Sequence, residues 1–267
     1  HRLDGIPLAL ELAAARLRSM SLMEVNHRLD HRFDLLNGGS RTALPRHRTL
    51  SALIDWSYDL LSEDEQSLLR RVSVFSGGWA AEAAEWLFAD EGNEPARVLD
   101  LLTALVDKSL AWSEERNGVT RYGLLETVRH YARDCLRKAG EDEFVERRHF
   151  SWSLKFAEEA RPYLHGAAQL EWLDRLEFEH DNLRSALHWS LTSREDAADG
   201  LCLANALSRF WVVHGHFGEG RGWLTRLISA SPGAPANDRA WAQSGASVLA
   251  YLQGDYERAA ALHEESL

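Results

Sequence analysis

His27 and His31 stand four residues apart, and Glu24 falls on the same helical face. Imidazole and carboxylate at that spacing are donors that a divalent metal can use. No third strong ligand stands nearby in sequence and the segment carries arginines, so surface or packing roles are the expectation. His214-Gly215-His216 brings two more imidazoles to a turn between helices, with the same plain reading. Ser57, Asp55 and His47 are the residue types of a nucleophilic triad. No Gly-x-Ser-x-Gly elbow or strand context accompanies them. The chain has no Gly-x-x-x-x-Gly-Lys-Ser/Thr and therefore no phosphate-cradling loop of its own. Cys135 and Cys202 are isolated within helical patterns, which points to buried free thiols rather than a disulfide or metal pair. Glu158-Glu159 and the acidic run Glu177–Asp181 are expected to be solvated faces. No catalytic constellation emerges, so this chain by itself is not expected to be an enzyme.

The elements around these residues are mostly helical. Gly5-Ile6-Pro7-Leu8 turns into a run of strong helix formers, with proline at the first helical position, predicting a helix over 7–18. That abrupt start, in a chain beginning with His, suggests the downstream part of a longer protein. Ser21-Leu22-Met23-Glu24 is a capping box that opens a second helix over about 22–30. Gly38-Gly39-Ser40 breaks the chain, and the basic stretch from Arg41 to Arg48 reads as a linker. From Thr49, Leu50, Leu53, Ile54, Ser57 and Leu61 line one helical face. Ser62-Glu63-Asp64-Glu65 is a second capping box, followed by helices ending at Gly77-Gly78 and covering 80–89 and 95–108. The period then drops to two in Ser109–Ser113 and Val119–Leu124, around Glu115-Arg116-Asn117-Gly118. An Asn-Gly between short alternating runs is a hairpin signal. With a closing helix from Glu126 to about Ala139, this is the plan of a winged helix.

Beyond Gly140 the pattern is helical throughout, over 142–160, 167–191, 196–213, 217–230, 236–252 and 255–267. The stretches starting at Gly215 and Gly254 resemble each other and begin 39 residues apart. Each opens a helix with Gly, a polar residue and an aromatic, and carries a large apolar residue at its ninth position, Trp223 and Leu262. Helix-turn-helix repeats of tetratricopeptide type recur at about 34 residues. The plain role of such a stack is to bury its own faces; the functional one is a concave surface for a peptide or protein.

Net charge is −11, and residues 1–50 are basic by about three charges, so the remainder is strongly acidic. An acidic body argues against non-specific nucleic-acid binding. The helix before the hairpin offers Arg97 and Lys108 against Asp100 and Asp107, and the wing carries Glu114-Glu115-Arg116. Direct DNA contact by this surface is not expected. No apolar run approaches the length of a membrane span.

Taken together, these residues resemble the C-terminal portion of a bacterial STAND ATPase of the NB-ARC type, in its transcription-regulator branch. Gly5-Ile6-Pro7-Leu8 resembles the Gly-Leu-Pro-Leu motif of the helical ARC subdomain, whose proline lines the adenine side of a bound nucleotide. The stretch 38–46 with Ile54-Asp55-Trp56-Ser57-Tyr58-Asp59, then Asp107-Lys108-Ser109-Leu110 and Tyr122 to Arg129, extend the match. The resemblance implies a mainly α protein: ARC helices over 1–42, a winged helix over 43–140 and a tetratricopeptide-like superhelix over 141–267. It implies no cofactor in this chain alone, and ADP or ATP with Mg in a longer, slowly ATP-hydrolysing parent. Gly5, Ile6, Pro7 and Leu8 would form the adenine-side wall. The family's phosphate-sensing His falls at Leu125, which has no hydrogen bond to donate. Implied partners are an upstream nucleotide-binding domain of the same chain and a protein or small-molecule effector at the repeats, with an effector-induced oligomer as a further expectation. No membrane partner is implied, and the setting is cytoplasmic. Two alternatives remain open: a DNA-binding winged-helix regulator with a helical ligand domain, and a repeat adaptor.

Overall fold

A computed structural model describes residues 7–25, 45–88, 95–116, 118–193 and 197–265. The chain divides into two units. The first comprises His1–Val74 with Gly78–Val145, and the second Phe75–Gly77 with Glu146–Leu267.

In the first unit, α1 (Pro7–Arg16) starts at the proline whose fixed φ suits a first helical turn. The Ser21 capping box forms, with Ser21 N–H donating to Glu24 Oε2 at 2.8 Å and Glu24 N–H to Ser21 Oγ at 3.3 Å. Its helix is described over 22–25, and the expected continuation to residue 30 lies outside the described residues. α2 (Pro45–Asp59) begins inside the stretch read as a linker, because Pro45 can open a helix as readily as it ends one. α3 (Glu63–Val72) carries the second capping box in full. β1 (Trp79–Ala80) and α4 (Ala81–Phe88) follow, then α5 (Pro95–Asp107). β2 (Trp112–Arg116), β3 (Val119–Gly123) and α6 (Glu126–Ala139) complete the unit. β2 runs through Glu115 and Arg116, so the hairpin loop is shorter than the sequence suggests. The sheet has the antiparallel order β1-β3-β2, with Trp79 opposite Tyr122 and Trp112 opposite Gly123. β1, at two residues, is too short to show a period in the sequence. Trp79, Leu53, Leu68, Leu69, Leu87, Leu102 and Leu105 fill the core. Each stabilises the unit by about 1.5–3 kcal/mol relative to exposure.

The hairpin depends on one close approach. A Cβ at Gly123 would stand 2.1 Å from the indole of Trp112, the residue opposite it on the paired strand. Gly123→Ala is expected to cost about 1–3 kcal/mol through that overlap. Thermal unfolding followed by circular dichroism reads the loss, and an unchanged midpoint would show that the indole moves aside freely.

The second unit is all helical among its described residues. α7 (Asp142–Ala160) enters it at Glu146, followed by a 3-10 turn at Arg161–His165. α8 (Gln169–Phe178) and α9 (His180–Thr192) replace the single helix expected over 167–191. They part at Glu179, whose carboxylate accepts from Asn182 Nδ2 at 2.6 Å, while Asn182 Oδ1 accepts from Ser76 N–H at 2.8 Å. No glycine or proline marks that break, so the periodicity ran across it. α10 (Ala197–His214) and α11 (Phe217–Ala230) form one antiparallel pair, α12 (Ala236–Leu252) and α13 (Tyr256–Glu265) the next. The turns are alike. Gly215 and Gly254 both take positive φ, +76° and +80°, the left-handed conformation that ends a helix most cheaply at glycine. Trp223 and Leu262, the ninth residues of the two similar stretches, are both buried. They join a continuous core with Leu207, Phe210, Trp211, Leu224 and Leu249.

Candidate functional site

The order of α3, β1, α4, α5 and the β2–β3 hairpin is that of a winged helix-turn-helix, with α5 in the position that enters a DNA groove in DNA-binding members. α5 buries Val98, Leu102 and Leu105 and turns Ala96, Arg97, Leu99, Asp100, Thr103 and Asp107 to solvent. Arg97 forms an ion pair with Asp64, and Asp107 accepts from Arg18 at 3.1 Å. Lys108 at the end of α5 is drawn onto Glu65. In the wing, Glu114, Glu115 and Arg116 are exposed. Asp100, Glu114 and Glu115 are thus exposed beside the exposed Arg116 of the wing strand, while the basic residues at 97 and 108 are engaged by carboxylates of α3. A polyphosphate gains little there.

Of the positions assigned to a nucleotide wall by resemblance, Gly5 and Ile6 lie outside the described residues. Pro7 and Leu8 are the first residues of α1. Leu125 is the residue before α6, 43% exposed, with extended φ and ψ and no side-chain cap. Its neighbour Glu126 is held by Arg129 at 2.6 Å, an interaction that pulls its carboxyl below the usual range. Pro7, Leu8 and Leu125 are apolar residue types whose side chains have no donor for a phosphate.

The triad residues are not assembled. Asp55 Oδ1 accepts the hydroxyl of Tyr131 at 2.6 Å, and burial together with that carboxylate raises the Tyr131 phenol far above its ordinary value. Ser57 is fully buried, and its carbonyl accepts from Arg16 Nη2 at 3.2 Å. The side chain of His47 lies outside the described residues. Cys135 and Cys202 are free but half-buried rather than fully buried, and burial pushes both thiols up. His27 and His31 lie outside the described residues, and Glu24 is already engaged by Ser21.

A different constellation forms in the second unit. Glu177 near the end of α8, His180 at the start of α9, and His214 and His216 around the Gly215 turn converge over the buried ring of Phe210. Glu177 Oε2 lies 3.1 Å from His214 Nδ1 and 3.4 Å from His216 Nε2. The His180 and His216 rings are 4.5 Å apart, and the His180 and Phe210 rings 5.0 Å. Glu219, in the first turn of α11, accepts two hydrogen bonds from Arg184 at 2.7 and 2.6 Å. Burial raises the Glu219 carboxyl, but the Arg184 hydrogen bonds and the His180 ring outweigh it and hold it below the usual range. Burial holds the His180 imidazole below its ordinary value, favouring the neutral ring. The sequence singled out His214 and His216 but not their partners. It also placed Glu177–Asp181 on a solvated face, whereas Glu179 and His180 are buried. The missing signal was the break at Glu179, which turns His180 inward.

Residues 61–137 match the winged helix-turn-helix domain family. The chain is 44% identical over 230 residues to a Mycobacterium tuberculosis protein provisionally named an HTH-type transcriptional regulator, covering 85% of this chain and 26% of that one. It is also 41% identical over 146 residues to an uncharacterized M. tuberculosis protein, covering 54% of this chain and 37% of that one. The chain thus spans about a quarter to a third of the length of these curated relatives. A crystal structure of a STAND protein with a tetratricopeptide repeat sensor, from Pyrococcus horikoshii, aligns with 98% of this chain and 41% of that one, at 18% identity and a TM-score of 0.38. The chain is a mainly α protein with a winged helix and a helical repeat-like unit, similar to regulators of the helix-turn-helix type. No helix among the described residues is long and apolar enough to cross a membrane.

Proposed function

We propose that this chain is the regulatory and sensor portion of a nucleotide-switched transcriptional regulator that acts in the cytoplasm. In this reading the helical repeats take a protein or small-molecule effector, and the winged helix relays that event to a nucleotide-binding domain upstream in the parent chain. The observation that carries it is the charge of the α5 and wing side of the winged helix, where Asp100, Glu114 and Glu115 are exposed beside Arg116, Asp107 is paired with Arg18, and Arg97 and Lys108 are paired with carboxylates of α3. A helix built this way suits protein packing better than a phosphate backbone. Leu10, Leu17, Leu22 and Met23, 48–82% exposed, supply an apolar surface for a neighbouring domain in the parent. The ARC-type helices, the superhelix and the ADP- or ATP-dependent switch belong to this proposal, and so does an effector-induced oligomer. Energetically the switch is a two-state equilibrium, biased by nucleotide on one side and effector on the other.

The chain alone is then expected neither to hydrolyse ATP nor to bind duplex DNA more tightly than about 10⁻⁴ M at physiological salt, the weak end of non-specific binding. A fluorescence-anisotropy titration and a phosphate-release assay check both. Measurable turnover by the purified chain would overturn the assignment of chemistry to the rest of the parent. The second reading, a winged helix that reads DNA directly, is favoured by the names of the relatives. Salt-dependent DNA binding in the same titration would establish it instead.

A further inference from the structure

Glu177, His180 and His216 each offer one ligand atom, and the three atoms lie within 4.8 Å of one another. Nitrogen and oxygen donors of a tetrahedral zinc site stand about 3.4 Å apart around an ion about 2.1 Å away. The widest separation therefore exceeds that spacing by at most about 1.4 Å, and Glu177 Oε2 and His216 Nε2 are already 3.4 Å apart. Glu177 and His216 sit at exposed or partly exposed helix ends, where so small an inward movement is inexpensive.

The third donor is already fixed. The His180 side chain is only 6% exposed, and its Nε2 lies 3.2 Å from Glu219 Oε1 but out of line for a hydrogen bond. A buried ring nitrogen aimed into a cluster without a hydrogen-bond partner carries a cost that a ligand would remove. Charge points the same way. Glu177 lies against His214 and His216, while Arg184 pairs with both Asp181 and Glu219. Three carboxylates against one guanidinium leave two surplus negative charges among these side chains, the complement of a divalent ion. Glu177 and Glu219 bracket the histidines from two helix pairs, and the Phe210 ring closes the floor.

We infer that Glu177, His180 and His216 form a site for a divalent transition-metal ion, zinc above all, that joins the α8–α9 turn to the α10–α11 turn. Two imidazoles and one carboxylate suit zinc and exclude calcium or magnesium, which take oxygen donors. His214, whose Nδ1 lies 3.1 Å from Glu177 Oε2, stands behind the carboxylate, where groups next to a metal ligand commonly orient it. The site rests on this cluster alone and is independent of the proposed regulatory role.

The test uses the whole chain, stripped of metal with chelator and titrated with zinc by isothermal calorimetry, and with cobalt by visible absorption. The expected result is one saturable equivalent, the absorption of four-coordinate cobalt, and a raised unfolding midpoint with zinc. His216→Gln and Glu177→Gln, both at exposed or partly exposed positions, should weaken binding by at least about tenfold, with far-ultraviolet circular dichroism unchanged. His180→Ala should do the same, and the two milder variants decide the matter if it fails to fold. Absence of saturable zinc binding by the unaltered chain overturns the site. So does binding that survives His216→Gln and Glu177→Gln but is lost in His27→Ala/His31→Ala, which would place the metal at the other histidine pair.

Discussion

Trp211→Ala is expected to destabilise the second unit by about 3–5 kcal/mol, the usual cost of emptying a buried aromatic site. Trp211 is fully buried on α10, and its indole lies directly against the backbone of Gly220 on α11. A Cβ at Gly220 would stand 2.6 Å from the Trp211 ring. In an ordinary helix, glycine to alanine is worth up to about 1 kcal/mol in the helix's favour. Here the sign should reverse, with Gly220→Ala costing about 1–3 kcal/mol through overlap with a ring that has no room to move. In the Trp211→Ala background the clash is gone, and Gly220→Ala should become favourable again. The matching positions of the following helix pair, 39 residues on, are Ala250 and Ala259, both buried. One pair thus fills the same space with Trp and Gly that the next fills with two alanines. Urea unfolding by circular dichroism gives all four corners of this cycle. Gly220→Ala stabilising the unaltered chain would refute the packing argument.

That exchange of volumes shows what the sequence could and could not disclose. The ninth-residue rule for Trp223 and Leu262 was readable because large apolar residues announce themselves. The paired Trp211 and Gly220 were not, since a glycine within a helix reads only as a weak point until its neighbour is known. The winged helix was legible through local signals: the Ser62 capping box, the Asn-Gly turn, the change of period after Ser109. Its third strand was not, because Trp79 and Ala80 become a strand only by pairing with Tyr122 and Arg121. The histidine cluster was half visible. His214 and His216 are neighbours in sequence, but Glu177 and His180 reach them only across a helix pair, and a break at Glu179 without Gly or Pro gives no warning. Such non-local placement is set by tertiary packing, on which local patterns are silent.

Glu65→Gln should cost the first unit about 2–3 kcal/mol, because one carboxylate there serves three partners. It caps α3, accepting from Ser62 N–H at 2.8 Å. It also accepts from Lys108 Nζ at the end of α5 and faces the buried guanidinium of Arg16 at the end of α1. Glutamine keeps the volume and can still accept at the cap, so the loss isolates the charge. Removing it leaves the Arg16 cation, only 5% exposed, without the counter-charge that offsets its burial. The pH dependence follows from the same group. Burial raises the Glu65 carboxyl, but the hydrogen bonds from Lys108 and Ser62 outweigh that and leave it below the ordinary value. A depressed carboxyl stabilises the folded state fully above the unfolded value of about 4.3, and that contribution is withdrawn as pH falls through the folded one. The difference between the unaltered chain and Glu65→Gln should therefore be largest near neutrality and shrink below about pH 5. Denaturant midpoints measured from pH 3 to 7 check it. Two stability curves running parallel across that range would mean that Glu65 acts through shape rather than charge.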